Sequence, residues 1–253
     1  MEEGRVGRKF LLFPFHHRLP TSNTWADWFV QRCDKYLAIS GPYWFNTLEH
    51  SAFKHWAPKM IRIDMAIDPT LFPHRKKRWN QAGERVFLAI GDSRTEKGQD
   101  DLTNLAVRHK IPIQYIGQMH PDTVTFLKLN ANFKFNGVAD LSDSFTQQWI
   151  VERCDFFLHT GLSDANPTTV LEMASLGLPV IATETSGWGD DVITMRPTIH
   201  GNQAFELTQG MIDVLNEMSA TRLNEISQGI SNYVAEIYTW DRFCNQVWRE
   251  ISD

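Results

Sequence analysis

Short apolar runs alternate along the chain with longer segments in which apolar residues recur every three or four positions. Runs of four or five residues suit buried strands, and the periodic segments suit helices that pack on a sheet. Because single helices separate the later runs, the pattern predicts parallel β-α-β units and an α/β fold. The predicted strands are Phe10–Phe13, Tyr36–Ile39, Met60–Ile63, Val86–Ile90, Ile113–Ile116, Phe156–His159 and Pro179–Ala182. The predicted helices cover 99–109, 121–130, 143–152 and 168–176, with three amphipathic helices within 203–252.

Residues 64–85 interrupt this alternation with two prolines, a basic cluster and no clear period. The stretch predicts a linker between a small N-terminal piece and an α/β domain. Its basic run, His74–Arg78, is interpreted as solvated, and binding of phosphate or nucleic acid is the alternative. Five of the nine tryptophans precede residue 80. Packing, rather than stacking on a sugar ring, is the expected role of most of them.

The composition narrows the class of protein. With 42% hydrophobic and 22% charged residues, the 253-residue chain is typical of a globular protein with a substantial core. Its formal net charge of -5 argues against a surface that binds polyanions generally. No run approaches the roughly 20 apolar residues of a membrane span, and no signal peptide is expected. Cys33, Cys154 and Cys244 lack zinc-site spacing, so reduced thiols and a cytoplasmic location are expected.

The strongest local signal for a binding site follows the predicted strand Phe156–His159. Asn166 is the expected N-cap and Pro167 the expected first residue of a helix. The helix is expected to end near Ser175, with Gly177 as its left-handed stop. The sequence therefore predicts a helix that begins directly after a parallel strand.

Such a helix start presents free backbone N–H groups at the carboxyl edge of the sheet, which suits an anion. Thr168 and Thr169 add hydroxyl donors, Asp164 lies just before the cap, and Glu172 lies one to two turns inside the helix. Carboxylates accept hydrogen bonds from sugar hydroxyls, so the pattern favours a ligand that carries both phosphate and hydroxyl groups. An ordinary capped helix is the alternative interpretation.

A second polar segment follows the predicted strand Val86–Ile90. Gly91 permits close approach of a ligand to the backbone, and Arg94 and Lys97 place two cations beyond the end of the strand. The segment contains neither GxxxxGK[ST] nor GxGxxG, which disfavours a P-loop and a nicotinamide-dependent dehydrogenase. For Lys97 alone, a solvent-exposed lysine is the alternative.

Taken in order, these segments resemble the retaining glycosyltransferases of the GT-B fold, family 4. FLAIGDSRTEKGQDDL resembles the strand, glycine and basic loop of that family, and IQYIG and FKFNGVADLSDSF resemble its next two strands. The diagnostic segment is CDFFLHTGLSDANPTTVLEMASLGLPV, in which seven residues separate Asp164 from Glu172. YTWDRFCNQVWREI resembles the closing helix, and CDKYLAISGPYW and KMIRIDMAIDPTLF resemble the last strands of the N-terminal domain.

The resemblance implies a GT-B-like α/β fold whose N-terminal α/β domain is truncated. The expected divisions are a partial, acceptor-side domain (1–68), a linker (69–83), a Rossmann-like nucleotide-sugar-binding domain with a parallel sheet (84–238) and a closing helix that returns to the N-terminal piece (239–253). The sequence departs from the family pattern at three places. Asp164 stands in place of the usual Glu, Asp92 in place of the usual arginine, and His159-Thr160 in place of the usual Pro-Ser.

The resemblance also implies catalytic residues. Lys97 is expected to neutralise the departing diphosphate, with Arg94 as the candidate replacement for the missing arginine. Asp164 is expected to hold sugar hydroxyls and Glu172 the ribose of the nucleotide. His16, with His17 as the adjacent alternative, is expected to place the sugar or the acceptor.

The remaining expected contacts surround the phosphates and the base. The N–H groups at Thr168 and Thr169 would hold the same phosphate as Lys97, close to Asn166 at the helix start. Gly91 would admit the phosphates, and Gly137-Val138 would border the base. The donor is a substrate, and neither a cofactor nor a divalent metal is expected, because protein cations and the helix dipole supply the charge.

Three functions remain open at this point. The first is an active glycosyltransferase with an unknown acceptor. The second is a non-catalytic nucleotide-sugar-binding module or the donor half of a split enzyme, in which a homodimer or a partner chain completes the N-terminal domain. The third is an epimerase of the same fold that acts on nucleotide sugars.

Overall fold

The computed structural model describes residues 7–16, 24–92, 97–98, 102, 105–107, 109–127, 132–161, 164–188 and 209–252. The strands are β1 (Phe10–Pro14), β2 (Lys35–Ile39), β3 (Met60–Ile63), β4 (Phe87–Gly91), β5 (Ile113–Gly117), β6 (Phe133–Phe135), β7 (Phe156–His159) and β8 (Val180–Ala182). The α-helices are α1 (Thr24–Arg32), α2 (Pro42–Asn46), α3 (Pro121–Leu127), α4 (Ser144–Arg153), α5 (Thr168–Ser175), α6 (Gln209–Glu217), α7 (Ala220–Ile237) and α8 (Trp240–Ser252). Short 3₁₀ helices cover Leu48–His50, Lys54–Lys59, Pro69–Leu71 and Glu184–Ser186.

The alternation in the sequence predicts this α/β fold correctly. Each of the seven predicted strands agrees with an observed strand to within one residue at both ends. The helices predicted after these strands correspond to α3, α4 and α5, and the three C-terminal amphipathic helices to α6, α7 and α8. No helix in the described ranges is long and apolar enough to cross a membrane. Predicted helical positions that lie outside the described residues are 128–130, most of 99–109, and 203–208.

The larger sheet positions the candidate site. Within the described residues it has five parallel strands in the order β6-β5-β4-β7-β8. Phe87 of the central strand β4 pairs with Ile113 of β5 on one side and with Phe156 of β7 on the other. Phe87, Phe156 and Phe157 are fully buried, as expected for a parallel sheet with both faces covered. Because the chain leaves β4 in one direction and returns to its other side at β7, a crevice forms at the carboxyl ends of these two strands.

The N-terminal sheet is smaller. In the part of the chain that the structure describes, it has three parallel strands in the order β1-β2-β3. One face packs on an aromatic core in which the ring of Phe15 contacts those of Tyr36, Phe53 and Trp56 at centroid distances of 6.0–6.2 Å. The last helix, α8, returns to this sheet and pairs Glu250 with Lys35 of β2 at 3.1 Å.

The basic run in the predicted linker is not solvated throughout. The side chain of Lys76 is fully buried, and its ammonium group forms an ion pair with the buried Asp155 at 3.3 Å. It also lies 5.1 Å from the centre of the Trp79 ring. Burial lowers the pKa of Lys76, and Asp155 opposes that shift. The solvated interpretation is therefore wrong for Lys76, because an internal carboxylate supplies the partner that a buried ammonium needs.

Candidate active site

The loops that follow β4 and β7 meet at the carboxyl edge of the large sheet. The hydroxyl of Thr160 donates hydrogen bonds to the carbonyl oxygens of Lys97 (3.2 Å) and Gly98 (3.1 Å). Gly98 has a φ of +70°, and a Cβ atom there would collide with the Thr160 carbonyl. A glycine is therefore required where the basic loop passes over the end of β7.

This arrangement brings the predicted basic loop and the predicted acidic residue together. Lys97 Nζ donates to Asp164 Oδ2 at 2.5 Å. The two side chains keep 20% and 17% of their surface exposed. The backbone of Asp164 is held on both sides, since its N–H donates to the Thr185 carbonyl (3.1 Å) and its own carbonyl accepts from Trp44 Nε1 (2.5 Å). The pair therefore sits at fixed positions and still faces the crevice.

Helix α5 differs from the prediction at its N-terminus. It begins at Thr168, and Pro167 is the N-cap with an extended backbone (φ -66°, ψ 120°), so Pro167 is not the first helical residue. Asn166 is not the N-cap, and no side chain caps this helix start. The first N–H groups, at Thr168 and Thr169, have no acceptor within the helix and remain suited to an anion.

The C-terminal end of α5 agrees with the prediction. The helix ends at Ser175, and Gly177 has a φ of +81°. The N–H of Gly177 donates to the Ala174 carbonyl (2.9 Å) and that of Leu178 to the Met173 carbonyl (3.0 Å). These two bonds form the Schellman motif that a glycine in the left-handed region permits.

Three residues around the crevice carry buried polar atoms that lack a hydrogen-bond partner among the described residues. They are Nε2 of His159, both side-chain amide atoms of Asn166, and Oε2 of Glu172. Buried polar atoms are normally paired, so each one needs a partner from elsewhere. Their concentration between the end of β7 and the second turn of α5 makes this part of the crevice suited to a polar ligand.

The protonation of two of these residues is shifted by burial. Burial raises the pKa of Glu172 to about 7, so this carboxyl is partly protonated near neutral pH. Burial lowers the pKa of His159 to about 4, while Asp164 raises it and Lys97 lowers it further. His159 is therefore neutral at physiological pH, and one of its ring nitrogens is an acceptor.

The raised pKa of Glu172 predicts a specific dependence of stability on pH. An unfolded glutamate ionises near 4.5, so the folded protein holds the extra proton between about pH 4.5 and 7. We expect the free energy of unfolding to fall by about 3 kcal/mol as the pH rises through this window, because the unfolded state releases the proton while the folded state retains it. Urea denaturation from pH 4.5 to 8 measures the effect.

Glu172→Gln should remove this component of the pH dependence, because the amide does not ionise. Glu152→Gln on the exposed face of α4 is the matched control and should keep the wild-type profile. A Glu172→Gln profile that coincides with the wild-type profile would contradict the assignment.

The N-terminal piece forms one wall beside this site. Trp44 is fully buried, and its ring lies 5.7 Å from that of His16. Because Trp44 also donates to the carbonyl of Asp164, the expected site residue His16 is connected to the C-terminal loop through one side chain. The N–H of Gly41 donates to the Ala165 carbonyl at 3.0 Å and reinforces the contact.

Glycines line the opposite side of the crevice. A Cβ atom on Gly91 would lie 3.8 Å from Cβ of Lys97, so Gly91 adjoins the basic loop as expected. The Gly117 N–H at the end of β5 donates to the Gly137 carbonyl at 2.8 Å. Val138 follows, with 73% of its surface exposed. The ends of β4, β5 and β6 thus form a ledge with few side chains beside Lys97.

Some predicted residues lie outside the described part of the chain, and some useful residues were missed. Arg94 and the alternative His17 lie outside the described residues. His159, Thr160 and Trp44 were given no role from the sequence. The first two were visible only as departures from a family pattern, and Trp44 gave no signal because its partner is 120 residues away. No group of three His, Cys, Asp or Glu residues suited to a metal ion occurs in the described ranges.

The fold and the crevice define a GT-B architecture, in which a Rossmann-like domain faces an N-terminal α/β domain. TarM superposes with a TM-score of 0.73 at 12% identity, over 99% of this chain and 51% of that chain. HepE from Anabaena, in complex with UDP and glucose, superposes with a TM-score of 0.67 at 15% identity, over 96% of this chain and 71% of that chain. Sucrose-phosphate synthase from Thermosynechococcus elongatus superposes with a TM-score of 0.65 at 14% identity, over 95% of this chain and 67% of that chain.

This chain therefore spans about half the length of TarM. No protein-family model matches the sequence, and no curated protein matches it. At these low identities the structural likeness establishes the fold, and the expected GT-B class is confirmed at that level.

Proposed function

We propose that this chain transfers a sugar from a nucleotide-sugar donor to an acceptor, with retention of the anomeric configuration and without a divalent metal, as in family 4. One observation carries the proposal. The Lys97–Asp164 ion pair and a set of unpaired buried polar atoms meet beside the start of α5, at the switch point of a GT-B sheet. HepE, which has the same fold, is seen with UDP and glucose, so UDP-sugars are the first donors to test.

The proposed roles follow from the chemistry of each group. Lys97 neutralises the diphosphate as negative charge develops on it, and the N–H groups at Thr168 and Thr169 hold the same phosphate. Asp164 orients Lys97 before the donor binds and accepts hydrogen bonds from sugar hydroxyls when the donor is bound. Glu172 accepts from the ribose hydroxyls, which pairs its buried oxygen and lowers its pKa on binding.

Retention follows from a reaction on one face of the sugar. The bond from the anomeric carbon to the diphosphate oxygen breaks, and a bond to the acceptor oxygen forms on the same side. The proton of the acceptor hydroxyl passes to the departing phosphate oxygen. The protein then supplies positioning and charge stabilisation, with His16 beside the acceptor and Gly137-Val138 beside the base.

The test is a thermal-shift screen of UDP, GDP, ADP and their sugars in the presence of EDTA. A nucleotide at 100 times its Kd adds about 2.7 kcal/mol of stability, which raises the Tm of a chain of this size by roughly 5–10 °C. We expect one base to give this shift without added metal. Glu172→Gln should reduce it and the control Glu152→Gln should not. Absence of a shift with every nucleotide, or equal shifts in both variants, overturns the proposal.

A split enzyme is the second candidate, and the N-terminal sheet favours it. Its outer strand β1 leaves Leu12 43% exposed and Phe13 45% exposed, which is unusual for a sheet that should be covered. On this hypothesis the chain binds the donor but releases no product until a partner chain is added. Sugar transfer by the isolated chain excludes the hypothesis, and product analysis without an acceptor distinguishes both candidates from an epimerase.

A further inference from the structure

An open groove of about 820 Å³ lies between the linker and α4. Linker residues 73–75, 77 and 78 line it together with Gln148, Val151 and Glu152 of α4, and we call it the basic groove. Its helical wall belongs to the C-terminal half of α4, which leads into the amino end of β7. The crevice lies at the carboxyl end of β7, so the basic groove is a separate site.

Buried contacts hold the linker against the large domain beside this groove. Lys76 points inward to its ion pair with Asp155, and its N–H donates to the Leu176 carbonyl at 2.8 Å. At the other end of the basic run, His74 Nε2 and Ser144 Oγ share a hydrogen bond of 2.8 Å. The linker therefore presents its remaining cations from a fixed backbone.

Three cations of the groove have no counter-charge. Arg75, Lys77 and Arg78 form no ion pair with any described residue. Nη1 of Arg75 donates to the carbonyl oxygens of Phe72 and His74, which fixes the guanidinium and leaves its other N–H groups available. Burial lowers the pKa of Arg75, the direction expected for a cation that lacks a carboxylate partner.

The groove is locally positive in a chain whose net charge is -5. Its three cations contribute +3, and Glu152, the one carboxylate among the lining residues, contributes -1, which leaves +2 with His74 neutral. Glu152 accepts a hydrogen bond from Gln148 at 2.8 Å and pairs with none of these cations. The excess charge suits an anion that carries at least two negative charges.

We propose that the basic groove binds a small metabolite that carries two or more phosphate groups on a sugar-sized body. A volume of about 820 Å³ falls within the range of small-molecule sites and is more than a single inorganic anion fills. Pro73 and the buried Val151 add apolar surface for the body of the ligand. Arg and Lys are the side chains that suit its phosphates, because Arg can donate two parallel hydrogen bonds and Lys supplies a compact charge.

A membrane or a nucleic acid fits the basic groove less well. Anionic membranes are recognised by clusters of about four to eight Lys or Arg residues. Nucleic acids are recognised by a basic patch or stripe that extends along one face of a basic domain. Here three cations are confined to one groove of an acidic chain, so a compact anion matches the site better than an extended one.

Isothermal titration calorimetry of the full chain tests the proposal, with fructose 1,6-bisphosphate and inorganic phosphate as probes. We expect the bisphosphate to bind one site per chain, at least tenfold more tightly than inorganic phosphate, because both of its phosphates contact cations. The Kd should rise as NaCl is increased from about 50 to about 300 mM, since salt screens charges at an open site.

Two pairs of substitutions separate charge from position. Lys77→Gln combined with Arg78→Gln should raise the Kd of the bisphosphate by at least tenfold, whereas Lys77→Arg combined with Arg78→Lys keeps both charges and should stay within threefold of the wild type. Lys54→Gln combined with Lys134→Gln removes two exposed cations elsewhere and should leave the Kd unchanged. All four positions are exposed, so the Tm of each variant should stay within about 2 °C of the wild type.

The proposal is overturned if neither probe binds at 5 mM, or if Lys77→Gln with Arg78→Gln binds the bisphosphate as tightly as the wild type. Loss of bisphosphate binding in Lys97→Ala would place the probe in the crevice and would also overturn it. So would binding to phosphatidylserine vesicles or to RNA without binding of the bisphosphate.

The basic groove and the proposed transferase site fail independently. Lys77→Gln with Arg78→Gln should keep the thermal shift that the nucleotide donor produces, and Lys97→Ala should keep the heat of bisphosphate binding. A chain that binds the bisphosphate but no nucleotide would retain the groove and lose the proposed function, and the reverse result would do the opposite.

Discussion

Lys97→Ala is expected to lower kcat/KM for sugar transfer by about 10²–10³-fold, the usual effect of removing one preorganised group that stabilises developing charge. The ammonium group of Lys97 lies at the carboxyl edge of β4, with Nζ 2.5 Å from Oδ2 of Asp164. The loss should fall mainly on kcat, because the charge on the diphosphate grows as the glycosidic bond breaks. Steady-state kinetics with the donor identified by thermal shift measure the effect.

Two further variants make the Lys97 result specific. Lys97→Arg keeps the charge and should retain more activity than Lys97→Ala, although the planar guanidinium changes the geometry. Lys134→Ala, an exposed lysine on β6, should leave kcat/KM unchanged. If Lys97→Ala keeps kcat/KM within threefold of the wild-type value, the assigned role is wrong.

Asp155→Ala is expected to destabilise the fold by about 3–5 kcal/mol, because it leaves the buried ammonium of Lys76 without a counter-charge. Asp155 is fully buried and accepts from the Val86 N–H (2.9 Å) and from the backbone and side-chain amides of Asn80 (3.0 and 2.8 Å). Its loss therefore also leaves backbone donors unpaired. The expected fall in Tm is roughly 6–20 °C.

A double variant separates the charge from the hydrogen bonds. Lys76→Met combined with Asp155→Ala should recover part of the lost Tm, because the unpaired charge is gone while the orphaned N–H groups remain. Asp143→Ala, at the exposed N-cap of α4, is the comparison and should cost about 1 kcal/mol. An Asp155→Ala variant that melts within 2 °C of the wild type would contradict this account of the linker.

The sequence predicts the sheet well because the strands are nearly uniform apolar runs. Phe156–His159 is predicted without error, and Gly177 is identified correctly as the stop of α5 because glycine adopts the left-handed conformation readily and Pro179, two residues later, cannot continue the helix. The start of α5 is harder. Asn166 is a good cap by residue type, yet Pro167 takes the N-cap position and both amide atoms of Asn166 are buried without a hydrogen-bond partner among the described residues. The capping preference of Asn166 therefore does not decide the start of this helix, because the residue lies in a buried polar site.

The candidate site was predicted in part for a similar reason. Lys97 and Asp164 follow adjacent strands, so the topology of a parallel sheet brings them to one edge, and the structure places them in contact. Their pairing with each other was not predicted, because a sequence does not show which of several charges will face one another. Lys76 illustrates the same limit, since its partner Asp155 is remote in sequence and the surrounding run is otherwise hydrophilic.

The bond between Trp44 and the carbonyl of Asp164 couples the two halves of the molecule mechanically. If the N-terminal piece rotates away from the larger sheet, this bond breaks and a fully buried indole enters water. The same residue that orients Lys97 then loses one of its two backbone anchors. Opening of the crevice would therefore also loosen the Lys97–Asp164 ion pair. On the proposed function, the site would be arranged for charge stabilisation only while the two halves are in contact.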